Sequence, residues 1–357
     1  MGGQKLTLGS LFDGIGVFPL AAQRQGIVPL WASEIEKSPI SITRRHFPDM
    51  EHLGDITKLD GGKIPPVHIV TFGSPCQNLS QIGNRTGLSG EKSGLFYQAI
   101  RIIKEMRDAT NHLFPVIAVW ENVMGALSSG NRLDFRAVLS SFTGSEVSMP
   151  ASGRWAGAGM VRGYVPDLAW RLMDAQYWGG SLRLARRQRV FVVADFGGRR
   201  APEILFKPRP MLPLPEAGGT GWLPSPCGDR GSFLEAGRRV PIVRPFQLFR
   251  MRGAAKDRYH VQFRDSFGFP TDPFPTLLAS AVNPFAFWYE DDPAGGFVRF
   301  LTETESERLM GLPEGWTRYG VDGAEISPAS RYRALGNAIA LPCAEYIMAG
   351  IRETLNP

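Results

Sequence analysis

Cysteine is scarce in this 357-residue chain. Only three occur, Cys76, Cys227 and Cys343, odd in number and far apart. That spacing excludes a disulfide framework, and the lack of any CxxC pair excludes a paired-cysteine zinc site. Five histidines without HxxxH spacing add no metal-ligating cluster. No apolar run approaches the roughly 18 residues of a membrane span, and the opening MGGQKLTLGS carries no basic-then-apolar export signal. A GxxxxGK[ST] phosphate loop is also missing. These absences leave a reducing, cytoplasmic protein of enzyme size, with no membrane contact and no metal.

What is present is a composition able to bury a large domain and a smaller one, 43% hydrophobic and 21% charged. The formal charge of +6 is unevenly spread. Residues 1–150 carry a net +1, residues 151–268 a net +11 from 20 basic against 9 acidic side chains, and residues 269–357 a net −6. The middle block is either a solvated basic surface or the place where a polyanion docks and releases counterions.

Up to residue 195 short apolar runs alternate with amphipathic stretches. Leu6–Phe12, Val28–Ser33, Val67–Phe72, Val116–Trp120 and Arg189–Ala194 read as strands, with helices over Val17–Gln25, Pro39–His46, Leu95–Arg107 and Arg132–Phe142. That alternation predicts a doubly wound, Rossmann-like α/β sheet, whose ligands sit at the carboxyl ends of its strands. The Gly/Ser-rich stretch between Phe142 and Pro166 reads as a long loop. From about residue 196 the chain turns rich in Pro, Gly, Arg and aromatics, which predicts a smaller, irregular β-rich module. Helical character returns over Thr302–Met310 and Tyr332–Arg352.

Several chemically capable residues fall at the predicted strand ends. In LFDGIGVF, Gly14 and Gly16 would let backbone approach a ligand, and Asp13 could accept from a ligand amine. A lone GxG is a weak signal. Glu34 ends the second strand, where an acid suits two ribose hydroxyls, and Asp55 suits an adenine amino group. With no third glycine and no phosphate loop, S-adenosylmethionine fits this set. Cys76 in FGSPCQNLS reads either as a small buried thiol or as a nucleophile, and the polar, glycine-spaced stretch after it suits a closing lid. Glu121, after the apolar PVIAVW, is either a helix N-terminal acid or a functional one. Arg186, Arg187 and Arg189 are most simply a surface cluster, or else a binding site for a phosphate or a pyrimidine carbonyl.

Taken together and in this order, these segments resemble the DNA (cytosine-5) methyltransferase family. LFDGIGVF is similar to its first motif and SPCQNLSQIGNRTGLSGEKSGLF to its Pro-Cys-Gln nucleophile and closing loop. ENV is similar to its Glu-Asn-Val, RRQRVF to its Arg-x-Arg, FLTETESERLMGLPEGW to its ninth motif and RALGNAIALPCAEYI to its tenth. Two departures stand out: Ser74 occupies a position where Phe more often precedes Pro-Cys, and Ala185 one where Gln is usual.

The resemblance implies a catalytic set of Cys76, Glu121, Arg187 and Arg189. It implies cofactor contacts at Phe12, Asp13, Gly14, Gly16, Glu34, Ile35, Asp55, Ile56, Pro75, Leu95 and Asn337, the last because the tenth motif packs beside the first. DNA contacts are expected at Gln77, Ser80, Lys92, Arg250, Arg252, Arg258 and the Thr276-Leu277 pair. Expected domains are a catalytic unit over 1–195, a target-recognition unit over 196–320 and a returning segment over 321–357. The expected partner is double-stranded DNA, met by a monomer, with or without a cognate restriction endonuclease. Two rivals are the tRNA-directed branch, whose Cys-Phe-Thr signature is missing here, and a catalytically dead DNA-binding homologue. An amino-group methyltransferase would need a [DN]PP[YF] motif, which the chain lacks.

Overall fold

Apolar residues at nearly every position of the short runs demand cover on both faces, as in a sheet sandwiched between helix layers. A computed structural model shows that arrangement. It describes residues 5–74, 94–179, 184–207, 276–277, 279 and 301–355, with the backbone of five strands between 242 and 300. In chain order the first half runs β1 (Thr7–Leu11), α1 (Val17–Arg24), β2 (Val28–Ser33), α2 (Lys37–His46), β3 (Glu51–His52) and β4 (Ile69–Phe72). It continues with α3 (Gly94–Ala109), β5 (Ile117–Val123), α4 (Leu133–Thr143), β6 (Ala158–Val161), β7 (Asp167–Asp174), β8 (Gln188–Asp195) and α5 (Ala201–Phe206).

These eight strands form one sheet in the order β3-β2-β1-β4-β5-β8-β7-β6. From β3 to β5 all pairings are parallel, while β8 runs antiparallel to both β5 and β7, and β6 to β7. The chain leaves β1 toward β2 and later returns on the other side as β4. That reversal opens a crevice at the carboxyl ends of β1 and β4, where this class of sheet takes its ligands.

One core lies between the sheet and α1, α5 and α8 (Leu341–Leu355), with Leu8, Ile69, Val119 and Val193 facing Phe18, Ile204 and Ile347. The opposite core sets Val70, Phe72, Ala118 and Trp120 against α3 and α4 through Phe96, Ile103, Phe135 and Phe142.

The second half holds β9 (Ile242–Pro245), β10 (Gln247–Arg250), β11 (Tyr259–Gln262), β12 (Pro284–Tyr289) and β13 (Asp292–Phe300), then α6 (Glu303–Leu309), α7 (Pro328–Asn337) and α8. The five strands make a two-stranded and a three-stranded antiparallel sheet, β10-β11 and β13-β12-β9, in keeping with the irregular β module expected.

Two expectations need correction. The expected loop between Phe142 and Pro166 contains β6, and β7 follows it, a strand not read from the sequence. Arg171 sits in the middle of β7, but its charge is absorbed: it donates to Leu205 O at 2.8 Å and lies over the Trp178 ring. The helical segment expected over 332–352 is two helices, bent by 46° where residues 338–340 break the register. Residues 301–320, expected within the recognition module, bring Met310, Leu312 and Trp316 into the first core, and α5 brings Ala201 and Leu205. Among the described residues no single helix is long and apolar enough to cross a membrane.

Candidate active site

The turn after β1 is built for close approach. Phe12, Gly14 and Gly16 all take positive φ, 54°, 59° and 76°. A side chain on Gly16 would meet the Phe47 ring at 2.9 Å and Thr43 at 3.0 Å, whereas around Gly14 nothing lies within 4 Å. Gly16 is therefore required for packing, and Gly14 faces open space.

Glu34 closes this turn from the end of β2. Its Oε2 accepts from Gly14 N–H at 2.8 Å, and its Oε1 from Ile35 and Glu36 N–H at 2.7 and 3.0 Å. Ile35 beside it is exposed. Asp55 caps the short turn Ile56–Lys58, accepting at Oδ1 from the Thr57 N–H and hydroxyl, both at 2.9 Å. Those two bonds, the backbone one foremost, hold its carboxyl below the usual range. Ile56 is buried under it, and Leu95 packs half-buried against the second core.

Asp13 is the anomaly of the turn. Both its carboxylate oxygens are sealed from solvent, with no hydrogen-bond partner among the described residues. Burial pushes its pKa from the ordinary 3.8 up to about 8; the nearby Ser10 hydroxyl acts the other way, and repulsion from Glu34 adds to the rise. The hydroxyls of Ser10 and Thr71, register partners on β1 and β4, are likewise buried and unpartnered. Such groups cost free energy unless something satisfies them. Asp13 was readable as a candidate in the sequence, but Ser10 and Thr71 were not, since both look like ordinary strand positions.

At the end of β4, Gly73 and Ser74 lead toward the Pro-Cys-Gln segment. Pro75, Cys76, Gln77, Ser80 and Lys92 lie outside the described residues, as do Arg252 and Arg258. The Ser74 departure has a physical partner: its buried hydroxyl accepts from Trp120 Nε1 at 3.2 Å, and its carbonyl accepts from Asn122 Nδ2 at 3.2 Å. A phenylalanine could not receive that indole N–H.

Glu121 lies inside β5 rather than at a helix start, which removes the dipole reading. Across the antiparallel pair, Arg189 enters β8 opposite Val123, two residues from the partner of Glu121. Arg189 Nε and Glu121 Oε1 meet at 2.8 Å, both side chains largely buried. Burial raises the Glu121 pKa, and Arg189 and Arg187 pull it back only in part. A Cβ at Gly73 would stand 2.9 Å from Glu121 Oε2, so any side chain there would displace the Glu121 carboxylate.

The three arginines before β8 divide. Arg186 is exposed, with its Nε 3.7 Å from Asp174 Oδ2. Arg187 is among the most buried side chains of the protein, 1% exposed, and donates to Leu277 O at 3.1 Å and Gly336 O at 2.7 Å. Burial lowers its pKa to about 9, still charged at neutral pH. Thr276 donates its hydroxyl to Arg186 O at 2.5 Å.

The chain's later part returns to this crevice. Trp316 Nε1 donates to Ile15 O in the glycine turn at 2.8 Å, and the Trp316 ring stacks on His46 at 3.6 Å. Asn337 ends α7, exposed, next to the Gly336 carbonyl that Arg187 holds. Arg250 ends β10. Among the described residues no group of three His, Cys, Asp or Glu side chains is placed to hold a metal.

Comparison with known proteins bears on this crevice. The family model for C-5 cytosine-specific DNA methylases matches residues 6–195. A protein of Escherichia phage P1 named DNA N-6-adenine-methyltransferase is 26% identical over 96% of this chain, which spans 61% of that protein's length. Type II methyltransferase M.BsuFI of Bacillus subtilis is 25% identical over 99% of this chain and 74% of its own. Among solved structures, the S. pombe Dnmt2 methyltransferase superposes with a TM-score of 0.56 at 16% identity, over 99% of this chain and 100% of the other. With a doubly wound sheet, a glycine turn and a Glu–Arg pair at adjoining strand ends, the chain belongs to the C-5 cytosine-specific DNA methylase family.

Proposed function

We propose that the protein methylates C5 of cytosine in double-stranded DNA at a specific sequence, using S-adenosylmethionine. The observation that carries this reading is the Glu121–Arg189 pair beside Gly73-Ser74, the segment that runs into Pro75-Cys76-Gln77. The orphaned Asp13 carboxylate, the Ser10 and Thr71 hydroxyls and the open space at Gly14 suit a ligand with a cationic head and no phosphate. Phe12, Gly16, Glu34, Ile35, Asp55, Ile56, Pro75, Leu95 and Asn337 complete the proposed cofactor contacts. When bound, S-adenosylmethionine supplies an electrophilic methyl group on a sulfonium.

Cytosine C5 is a weak nucleophile. The Cys76 thiolate adds to C6 of a cytosine rotated out of the duplex, pushing electron density to C5 and dividing one hard step into easier ones. Glu121, whose pKa burial raises, hydrogen-bonds N3 and protonates it as the adduct forms. Arg189 donates to O2 while holding Glu121 in place. After methylation a base or water takes the C5 proton, the N3 proton returns to Glu121, and departure of the Cys76 thiolate restores the C5–C6 double bond.

Residues 208–300 are then the recognition module, shorter at both ends than the sequence suggests, with Arg250, Arg252 and Arg258 on phosphates and Thr276-Leu277 near the target. Gln77, Ser80 and Lys92 belong to the DNA-contacting segment after Cys76. The protein acts as a cytoplasmic monomer, in a restriction-modification setting with or without a cognate endonuclease.

The test is product analysis: DNA is incubated with protein and methyl-labelled S-adenosylmethionine, then digested to nucleosides. Label is expected in 5-methylcytosine alone, and lost in Cys76→Ala. Label in N6-methyladenine, the product suggested by the phage P1 protein's name, would sink the reading.

A further inference from the structure

The stretch just before β8 grips three later segments of chain. Ala185 N–H donates to Leu309 O at 3.1 Å, Arg186 O accepts from Thr276, and Arg187 bridges Leu277 and Gly336. Arg187 Nη1 takes the Leu277 carbonyl and Nη2 the Gly336 carbonyl, while its backbone N–H is anchored on Asp174 Oδ1 at 3.1 Å. A guanidinium is planar, and its fork fixes the directions of both bonds at once. The Leu277 and Gly336 carbonyls are therefore positioned relative to one another through a single rigid group. Leu277 follows Thr276, on the DNA side of the proposed site, and Gly336 precedes Asn337, on its cofactor side.

We infer that Arg187 is a positioning residue through which DNA and cofactor strengthen each other's binding. This rests on the proposed function's assignment of those two segments. Whichever ligand binds first orders the segment it touches; through Arg187 the other segment is held in register, and less ordering remains for the second ligand. The coupling must be reciprocal, the same factor appearing in both affinities. Arg187 thereby acts without touching either ligand, unlike its strand neighbour Arg189 at the Glu121 carboxylate.

The experiment titrates labelled S-adenosylhomocysteine onto the full chain, alone and with sheared DNA free of 5-methylcytosine. In the wild type, DNA is expected to tighten this binding about fivefold or more, and S-adenosylhomocysteine to tighten DNA binding equally. Arg187→Lys keeps a positive charge but has no planar fork, so the factor should fall toward one. Thr276→Val, which removes the neighbouring bond to Arg186 O together with any contact of that hydroxyl to DNA, should reduce the factor without loss of fold by thermal melting. Equal weakening of both separate affinities with the factor preserved marks a merely structural role and overturns the inference. So does an unchanged factor in Thr276→Val, should Arg187→Lys fail to fold. A wild type that binds both ligands with a factor of one overturns the inference alone; one that binds neither overturns the proposed function.

Discussion

Asp13 is where residue-scale chemistry is most exposed to test. An aspartate whose pKa is higher folded than unfolded takes up a proton on folding. Its penalty is absent below its ordinary 3.8 and grows as the pH rises to about 8, so stability drains away across that window. Asp13→Asn carries no such proton. Between pH 5 and 8 it should gain on the wild type by on the order of 1 kcal/mol per pH unit, read by urea unfolding at each pH. Parallel pH profiles for the two proteins would show that the Asp13 carboxylate is already satisfied. The wild type retains an acid that is costly without ligand, as expected of a group waiting for a cation.

At the scale of elements, the C-terminal half is held by one buried acid. Glu307 in α6 is fully buried and accepts from Gly315 N–H at 2.6 Å, from Thr317 N–H at 2.8 Å and from the Thr317 hydroxyl at 2.5 Å. Arg331 in α7 completes the set at 3.1 Å. This carboxylate fixes the loop carrying Trp316, and so the contact with the glycine turn. Glu307→Gln leaves the buried Arg331 with only the more distant Glu303 carboxylate, 3.9 Å away, as counter-charge and should cost about 2 kcal/mol, measured by chemical unfolding.

How much of these elements was legible follows from the physics of each. Strands that run into glycine turns, such as β1 and β4, declare themselves by short stretches of apolar and small residues without charge. β7 hid because Arg171 interrupts its run, and only the fold brings the Leu205 carbonyl and Trp178 to meet it. Glu34 and Asp55 were readable as strand-end acids, but their bonds to backbone N–H groups were not. The run of arginines before β8 could not reveal that one is surface, one core and one paired with Glu121, because that division depends on partners from β5, α7 and residue 277.

Across the whole molecule, charge and topology are divided differently. The net +11 of residues 151–268 sits outside the parallel part of the sheet, β1 to β5, and falls instead in β6 to β8 and the recognition module. If that block meets DNA phosphates, replacing Arg250, Arg252 or Arg258 by Ala should weaken binding at all sequences. Removing one phosphate interaction should flatten the salt dependence of log Kd by about 0.9, read by titration at several salt concentrations. An unchanged slope places that arginine off the interface.

The first core also constrains how the protein comes into being. Its inner layer pairs Val17, Phe18 and Leu20 from α1 with Leu341, Ile347 and Ile351 from α8, at opposite ends of the chain. During synthesis, α1 therefore emerges long before the helix that covers it. At ribosomal speeds that interval is on the order of tens of seconds. Once β8 has emerged, and until α8 follows, the nascent sheet has one face covered by α3 and α4 and the other partly bare, an exposed apolar surface of the kind on which growing chains associate.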